Sequence, residues 1–149
     1  MKPGKDYIGI SVAFFCHDRQ GNFLFHQRSQ KCRDEQGTWD CGGGKLEFGE
    51  TPEEGLMREL TEEYGCSGAI DAALPINSYI RGEGEDKRHW IIVPYIVRVD
   101  RLQAKLNEPE SMDAIGWFTL QDLPDPLHSG VKADIEMYRS YLQKYTFGA

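Results

Sequence analysis

The stretch from Thr51 to Gly65 constrains the fold more than any other, because both ends of one helix are written into it. Thr51 is a strong N-cap, and Pro52 fits the first helical position, where its missing N–H leaves no bond unmade. Glu54 stands three residues after Thr51, so Thr-x-x-Glu forms a capping box. Gly65 supplies the left-handed C-terminal stop. The spacing therefore predicts a helix over 52–64. Leu56, Leu60 and Tyr64 recur every fourth residue, with Met57 alongside, and give that helix one apolar stripe to lay on a sheet.

The strands that would receive it lie on both sides in sequence. Ile8–Cys16 and Phe23–Arg28 are apolar, β-rich runs around His17–Asn22, whose Asp, Gly and Asn are turn residues, so they read as a hairpin. Thr38–Cys41 is a short strand feeding the glycine cluster. Further strands are predicted around Ile76–Ile80, over His89–Val99 and over Ala114–Thr119, with loops at Ser29–Gln36, Gly82–Lys87 and Leu106–Met112. Pro94 inside the longest run removes a ladder donor, which favours an edge or a bulge there. Val131, Ile135, Tyr138, Leu142 and Tyr145 have helical spacing and predict a terminal amphipathic helix. Strands mixed with two helices and no regular βαβ repeat give an α/β chain with a mixed sheet and helices packed on it.

At 149 residues the chain fits a single domain, 1–149, which buries close to 70% of its unfolded surface and needs no staple. Cys16, Cys32, Cys41 and Cys66 show no zinc spacing and read as free thiols of a reducing cytoplasm. Met1–Asp6 carries no apolar leader, and no run approaches the roughly 18 apolar residues of a membrane span, so no membrane partner is expected. A net charge of −7 argues against duplex nucleic acid held on a basic face. It leaves room for a phosphorylated small molecule, because a bound cation supplies positive charge locally.

The helix itself carries the chemistry. Glu59 and Glu63 are four apart and Glu62 is three on from Glu59, so their Cβ atoms are about 5–6 Å apart. Such carboxylates repel in an isolated helix. Arg58, four before Glu62, offsets a little of this, and a divalent cation would offset far more. Magnesium takes one or two carboxylates with waters and substrate phosphates. Gly42, Gly43 and Gly44 let backbone approach the same place.

Gly44-x5-Glu50-x7-Arg58-Glu59-Leu60-x-Glu62-Glu63-x-Gly65-Cys66 resembles the Nudix box, the signature of the Nudix hydrolases. The box covers 44–66, and the flanking strands and terminal helix resemble that family's α/β/α sandwich over about 5–147. Cys66 fills a slot that prefers an aliphatic residue. One position departs from the pattern: the family commonly has proline before the two opening glycines, and Gly42 stands there, which bears on the rigidity of the loop.

The resemblance implies hydrolysis of a nucleoside diphosphate linked to another group, by water attacking phosphorus. It assigns Mg²⁺, or Mn²⁺, to Glu59, Glu62 and Glu63 with the Gly44 carbonyl. Arg58 would orient the glutamates, Glu50 would brace the loop, and Gly65 would end the helix. Such an ion polarises a phosphoryl oxygen and makes water a usable nucleophile near neutral pH. The base is Glu59, Glu62 or a carboxylate from a later loop, with Glu110 the first choice and Glu108, Glu83 and Glu85 behind it.

Substrate choice lies outside the box. Asn77–Ile80, His89–Trp90, Glu108–Glu110 and Gly116–Phe118 resemble the MutT-like branch that takes nucleoside triphosphates, including modified dNTPs, to monophosphate and pyrophosphate. Tyr79, Trp90 and Trp117 would then stack on a base. Arg28-Ser29-x3-Arg33-x3-Gly37 has the spacing of the upstream segment of coenzyme A pyrophosphatases, but Cys41 and Gly42 stand where that segment has an aromatic and a proline. Arg28 is therefore a further substrate-binding candidate. ADP-ribose pyrophosphatases carry a proline about sixteen residues past the box, where this chain has Arg81 and Gly82. Other classes are a nucleotide-sensing domain without catalysis and a calcium-buffering surface, the latter disfavoured because no EF-hand loop is present. Family members are often dimers, which makes a homodimer an admissible assembly.

Overall fold

The computed structural model describes residues 1–146. Helix α1 spans Pro52–Tyr64 and ends at Gly65, whose φ of 62° is left-handed. Its capping box is complete: Glu54 N–H donates to Thr51 Oγ1 over 3.2 Å and Thr51 N–H to Glu54 Oε1 over 3.0 Å. A second helix, α2, spans Ser129–Leu142, and Gln143–Tyr145 continues it as one 3-10 turn. No helix among the described residues is long and apolar enough to cross a membrane.

Eight strands form one mixed sheet: β1 (Gly9–His17), β2 (Phe23–Arg28), β3 (Trp39–Asp40), β4 (Gly42–Lys45), β5 (Gly68–Ala73), β6 (Asn77–Arg81), β7 (Arg88–Val99) and β8 (Met112–Phe118). The path is β3-β2-β1-β7-β5, with β4 on β1, β6 on β7 and β8 on β2. β1 and β7 run parallel from Gly9↔Trp90 to His17↔Arg98, and every other pairing is antiparallel.

Alternation along β1 builds two cores. Val12, Phe14 and Cys16 face α1 and pack with Leu56, Leu60, Tyr64 and Cys66. Phe15 faces the other way, into a cluster with Phe23, Phe25, Ile135, Tyr138 and Leu142 on the α2 side. The result is a helix, a sheet and a helix in three layers. Leu56 and Leu60 are fully buried, each contributing about 1.5–3 kcal/mol by leaving water.

Pro94 lies neither at an edge nor in a bulge. β7 is flanked by β1 on one side and by β6, then β5, on the other. Pro94 falls where that second partner changes, and its carbonyl accepts the Leu74 N–H over 2.9 Å. Its nitrogen faces the same break in the ladder, so no sheet bond is lost. Two strands were not predicted. β4 is the glycine cluster itself, and β5 (Gly-Ala-Ile-Asp-Ala-Ala) has mostly small side chains.

Gly42 does not loosen the loop, because it is paired in β4 opposite Phe14. A Cβ at Gly42 would overlap the Phe14 ring. Phe14 is fully buried and meets Tyr64 edge-on at 6.3 Å between ring centroids. The aromatic ring thus occupies the space that a side chain at 42 would need. Gly42→Ala is expected to lose about 3 kcal/mol by overpacking. Combining it with Phe14→Leu should recover part of that loss in urea unfolding, a non-additivity that only direct contact produces.

Candidate functional site

Arg58, on α1, is the hub of the site. Its Nε donates to Glu50 Oε2 over 3.0 Å and its Nη2 to Glu50 Oε1 over 2.6 Å, a two-pronged pair that closes the loop before the helix. Nη2 also donates to the Lys45 carbonyl over 3.0 Å, which ties β4 to α1. Nη1 donates to Glu59 Oε1 over 2.8 Å and to Glu62 Oε2 over 3.4 Å. One guanidinium therefore fixes both the loop and two helix carboxylates. The Glu50 carboxyl is held down at about 2 by Arg58 and by the Glu47 N–H.

Glu63 is the deepest of the acidic groups. It is 9% exposed, and its Oε2 accepts the Gly43 N–H over 3.1 Å. Burial pushes its carboxyl well above the usual range, and the charges of Glu59, Glu108 and Asp40 push the same way, against the Gly43 bond. Glu59 is also raised, first by burial, with Arg58 opposing. Gly44 faces Glu59 so closely that a Cβ there would overlap the carboxylate. Glu62 is half exposed and stands at the rim.

Glu59 and Glu63 open onto a cleft of about 810 Å³, whose lining does not include Glu62. Glu59, Glu63, Gly42–Lys45 and Glu108 line one end, while Tyr79, Trp90, Asn77, His128 and Asp134 line the other. Two residues singled out in the sequence lie outside the lining. Glu110 is exposed and outside the lining, and Glu108 occupies the cleft instead. The reason is a turn: the Glu108 carbonyl accepts from Ser111 N and Met112 N, both over 3.0 Å, and this leaves Glu110 only its carbonyl facing inward, bonded to Ser29 Oγ. Trp117 is also outside. It lies opposite Leu24 on the α1 face of the sheet, with Arg101 over its ring at 5.5 Å.

Tyr79 and Trp90 are cross-strand partners and both line the cleft, as does Arg28. Arg81 stacks over Tyr79 at 4.3 Å. Arg28 is engaged by Asp34 at 2.8 Å and Asp40 at 3.3 Å. Sequence reading missed His128, Asp134 and Asp40. Gly130, Asp134 and Met137 recur at i, i+4 and i+7, a second stripe of α2 beside its apolar one, and that spacing was the available signal.

Asp134 has its carboxyl pushed up to about 6, first by burial and then by Asp40. Raised above its unfolded value near 3.9, it contributes stability below pH 4 that is lost as pH climbs through about 6. Asp134→Asn is therefore expected to be about 1 kcal/mol more stable than the parent at pH 8, after allowance for solvent screening, and no more stable at pH 4. Thermal melts at the two pH values check it.

No set of three His, Cys, Asp or Glu side chains is gathered into a metal cage among the described residues. The donor chemistry nevertheless suits a hard cation. Glu59, Glu63 and Glu108 line the cleft, the charges of Glu59 and Glu108 add to burial in pushing the Glu63 carboxyl up, and the backbone of β4 lies alongside.

Comparison with known proteins identifies the family. The NUDIX domain family matches residues 8–141. An isopentenyl-diphosphate Delta-isomerase of Corynebacterium diphtheriae is 30% identical over 127 residues, covering 80% of this chain and 69% of that protein. An 8-oxo-dGTP diphosphatase of Proteus vulgaris is 43% identical over 61 residues, which is 41% of this chain and 53% of that one. An RNA pyrophosphohydrolase of Gluconacetobacter diazotrophicus is 27% identical over 155 residues, 91% of this chain and 89% of that one. Among solved structures, a MutT NUDIX hydrolase from Burkholderia pseudomallei superposes with a TM-score of 0.72 at 27% identity, over 88% of this chain and 98% of that one. With the family matched over most of its length and the box folded as loop and helix, the chain belongs to the NUDIX family of hydrolases.

Proposed function

We propose that the protein is a divalent-metal-dependent pyrophosphohydrolase that cleaves a nucleoside triphosphate to monophosphate and pyrophosphate. The observation that carries this reading is the convergence of Glu59, Glu63 and Glu108 on one end of a cleft whose other end is aromatic. Glu59 and Glu63, with the Gly44 carbonyl and with Glu62 at the rim, would hold Mg²⁺ or Mn²⁺. When bound, the ion neutralises charge on the phosphoryl oxygens and acidifies the attacking water.

The chain's own residues do the rest. Arg58 keeps Glu59 aimed into the cleft and ties it to the loop through Glu50. Glu108, whose turn sets it in the cleft lining, would take the proton from the attacking water. Tyr79 and Trp90 offer apolar surface to a base. The volume falls within the range of small-molecule sites. The names of the diphosphatase and the RNA pyrophosphohydrolase favour a 5′-triphosphate. A coenzyme A reading gains nothing from Arg28 and Ser29, which are already spent on Asp34, Asp40 and the Glu110 carbonyl.

The deciding experiment is turnover of a panel with Mg²⁺ and product identification. It holds dNTPs, 8-oxo-dGTP, 5′-triphosphorylated RNA, ADP-ribose, coenzyme A and isopentenyl diphosphate. Monophosphate plus pyrophosphate from a triphosphate is the expected result. Binding without turnover, or isomerisation of isopentenyl diphosphate alone, overturns the proposal.

A further inference from the structure

Two segments that contribute to the cleft lining meet each other. One is the end of β2 with its connection to β3, which bring Arg28 and Cys32 to the lining. The other is the start of α2, which brings His128, Gly130 and Asp134. Glu35 joins them. Its Oε1 accepts the Ser129 N–H over 2.8 Å, and its Oε2 accepts Ser129 Oγ over 3.0 Å and lies 2.8 Å from His128 Nε2. His128 Nδ1 accepts the Gly130 N–H over 3.0 Å, which leaves the ring proton on Nε2 for Glu35. One carboxylate thus caps a helix whose sequence lies 94 positions away, and holds a cleft-lining imidazole in one tautomer and orientation.

The backbone shows that this contact is imposed and not incidental. Glu35 has φ 47°, in the left-handed region, and only Arg19 shares that condition among the described non-glycine residues. An L side chain is disfavoured there, and such a conformation persists where the surroundings over-determine it. Here the residue in the disfavoured conformation is the one whose carboxylate makes all three contacts with Ser129 and the N-cap His128. The carboxyl is correspondingly lowered, with Ser129 and His128 outweighing burial.

The far end of the same connection is anchored to the segment that carries Glu108. Ser29 Oγ donates to the Glu110 carbonyl over 2.6 Å, and Ser29 N to the Ser111 carbonyl over 3.0 Å. Arg28 pins the middle through the Asp34 carbonyl and carboxylate. The connection is therefore a strap from the Glu108 turn to α2, with Glu35 as its buckle.

We propose that Glu35 is a positioning residue for substrate: by fastening this strap to α2 it fixes the width of the cleft end that receives the nucleoside. The chemistry at phosphorus is left to the α1 carboxylates, so the effect falls on binding. This rests on the proposed function for the identity of what is gripped.

Glu35→Ala is expected to raise KM for the triphosphate about tenfold with kcat within twofold, and to speed hydrogen exchange at 29–37 and 129–134. Glu35→Gln keeps one acceptor oxygen for the Ser129 N–H but turns the other into an amide donor and loses the charge facing His128, and should fall between. Glu35→Gly relieves the backbone conformation yet should raise KM as Ala does, which separates the strap from the strain. Faster exchange with KM unchanged would reduce Glu35 to a structural tie, and a fall in kcat matching the rise in KM would move it into the chemistry. Either outcome overturns the proposal. If the parent chain turns over no nucleotide, the hydrolase reading fails by itself. Calorimetric Kd for ATP then decides: about tenfold weaker binding to Glu35→Ala sustains the strap, and an equal Kd overturns it.

Discussion

Glu63→Gln is expected to lower kcat about a thousandfold, on the order of 4 kcal/mol of transition-state stabilisation, while the fold stays intact. The amide has the size of the carboxyl and keeps an oxygen for the Gly43 N–H. What it removes is charge, at the most buried acidic position of the site. Without metal that charge is a burden, because burial and the neighbouring Glu59, Glu108 and Asp40 all oppose it. The variant should therefore melt no lower than the parent in metal-free buffer, and activity and stability should move in opposite directions. Added Mg²⁺ should raise the Tm of the parent, since a ligand that binds only the folded state stabilises it. The same addition should leave Glu63→Gln unmoved. Steady-state kinetics and melts with and without Mg²⁺ check both halves. Parental kcat, or a parental Mg²⁺ shift, would remove Glu63 from the metal assignment. Glu62→Gln is the natural comparison, because its carboxylate is half exposed at the rim and less enclosed by the site.

The parts that could be read from sequence are those whose determinants are local. Thr51, Pro52, Glu54 and Gly65 act within one turn of their targets, and α1 appears with the boundaries they imply. β1, β2 and β7 are apolar runs that only a sheet buried on both faces can satisfy. β4 escaped because Gly-Gly-Gly-Lys has no strand propensity of its own. It is a strand because β1 offers a partner and the Phe14 ring fills the empty side-chain position. β5 escaped for a similar reason, its small residues being held by pairing with β7. In the site, helical spacing puts Glu59 and Glu63 together on the cleft lining, while Glu62 stands half exposed outside it. The choice between Glu110 and Glu108 was not legible, because it depends on how a loop turns through Ser111 and Met112. Trp117 failed on strand parity: its partner Leu24 faces α1, away from the cleft. Glu35 and Ser129 meet across 94 residues, and no local pattern announces such a contact.

Arg58→Met should lower kcat about a hundredfold, the scale of losing a group that orients a metal ligand, and it should do so without removing any carboxylate. The side chain holds Glu59 by Nη1 and Glu50 by Nε and Nη2 together. Methionine keeps the apolar stem and none of these bonds. Arg58→Lys should fare little better, since an ammonium is a point donor and cannot grip Glu50 with two prongs while reaching Glu59. The variant also has a pH signature. In the parent the Glu50 carboxyl titrates at about 2, below its unfolded value, so it contributes stability present above about pH 4.3 that is lost as pH falls through about 2. Arg58→Met lacks that contribution at every pH. The Tm gap between parent and variant should therefore be widest near neutrality and narrow on acidification. Glu50→Gln separates the two duties of the guanidinium, because it frees the loop and leaves the Glu59 bond. If Arg58 works by aiming Glu59, kcat falls much further in Arg58→Met than in Glu50→Gln. Equal losses in the two variants would make Arg58 a brace of the loop, with Glu59 aimed by the fold alone.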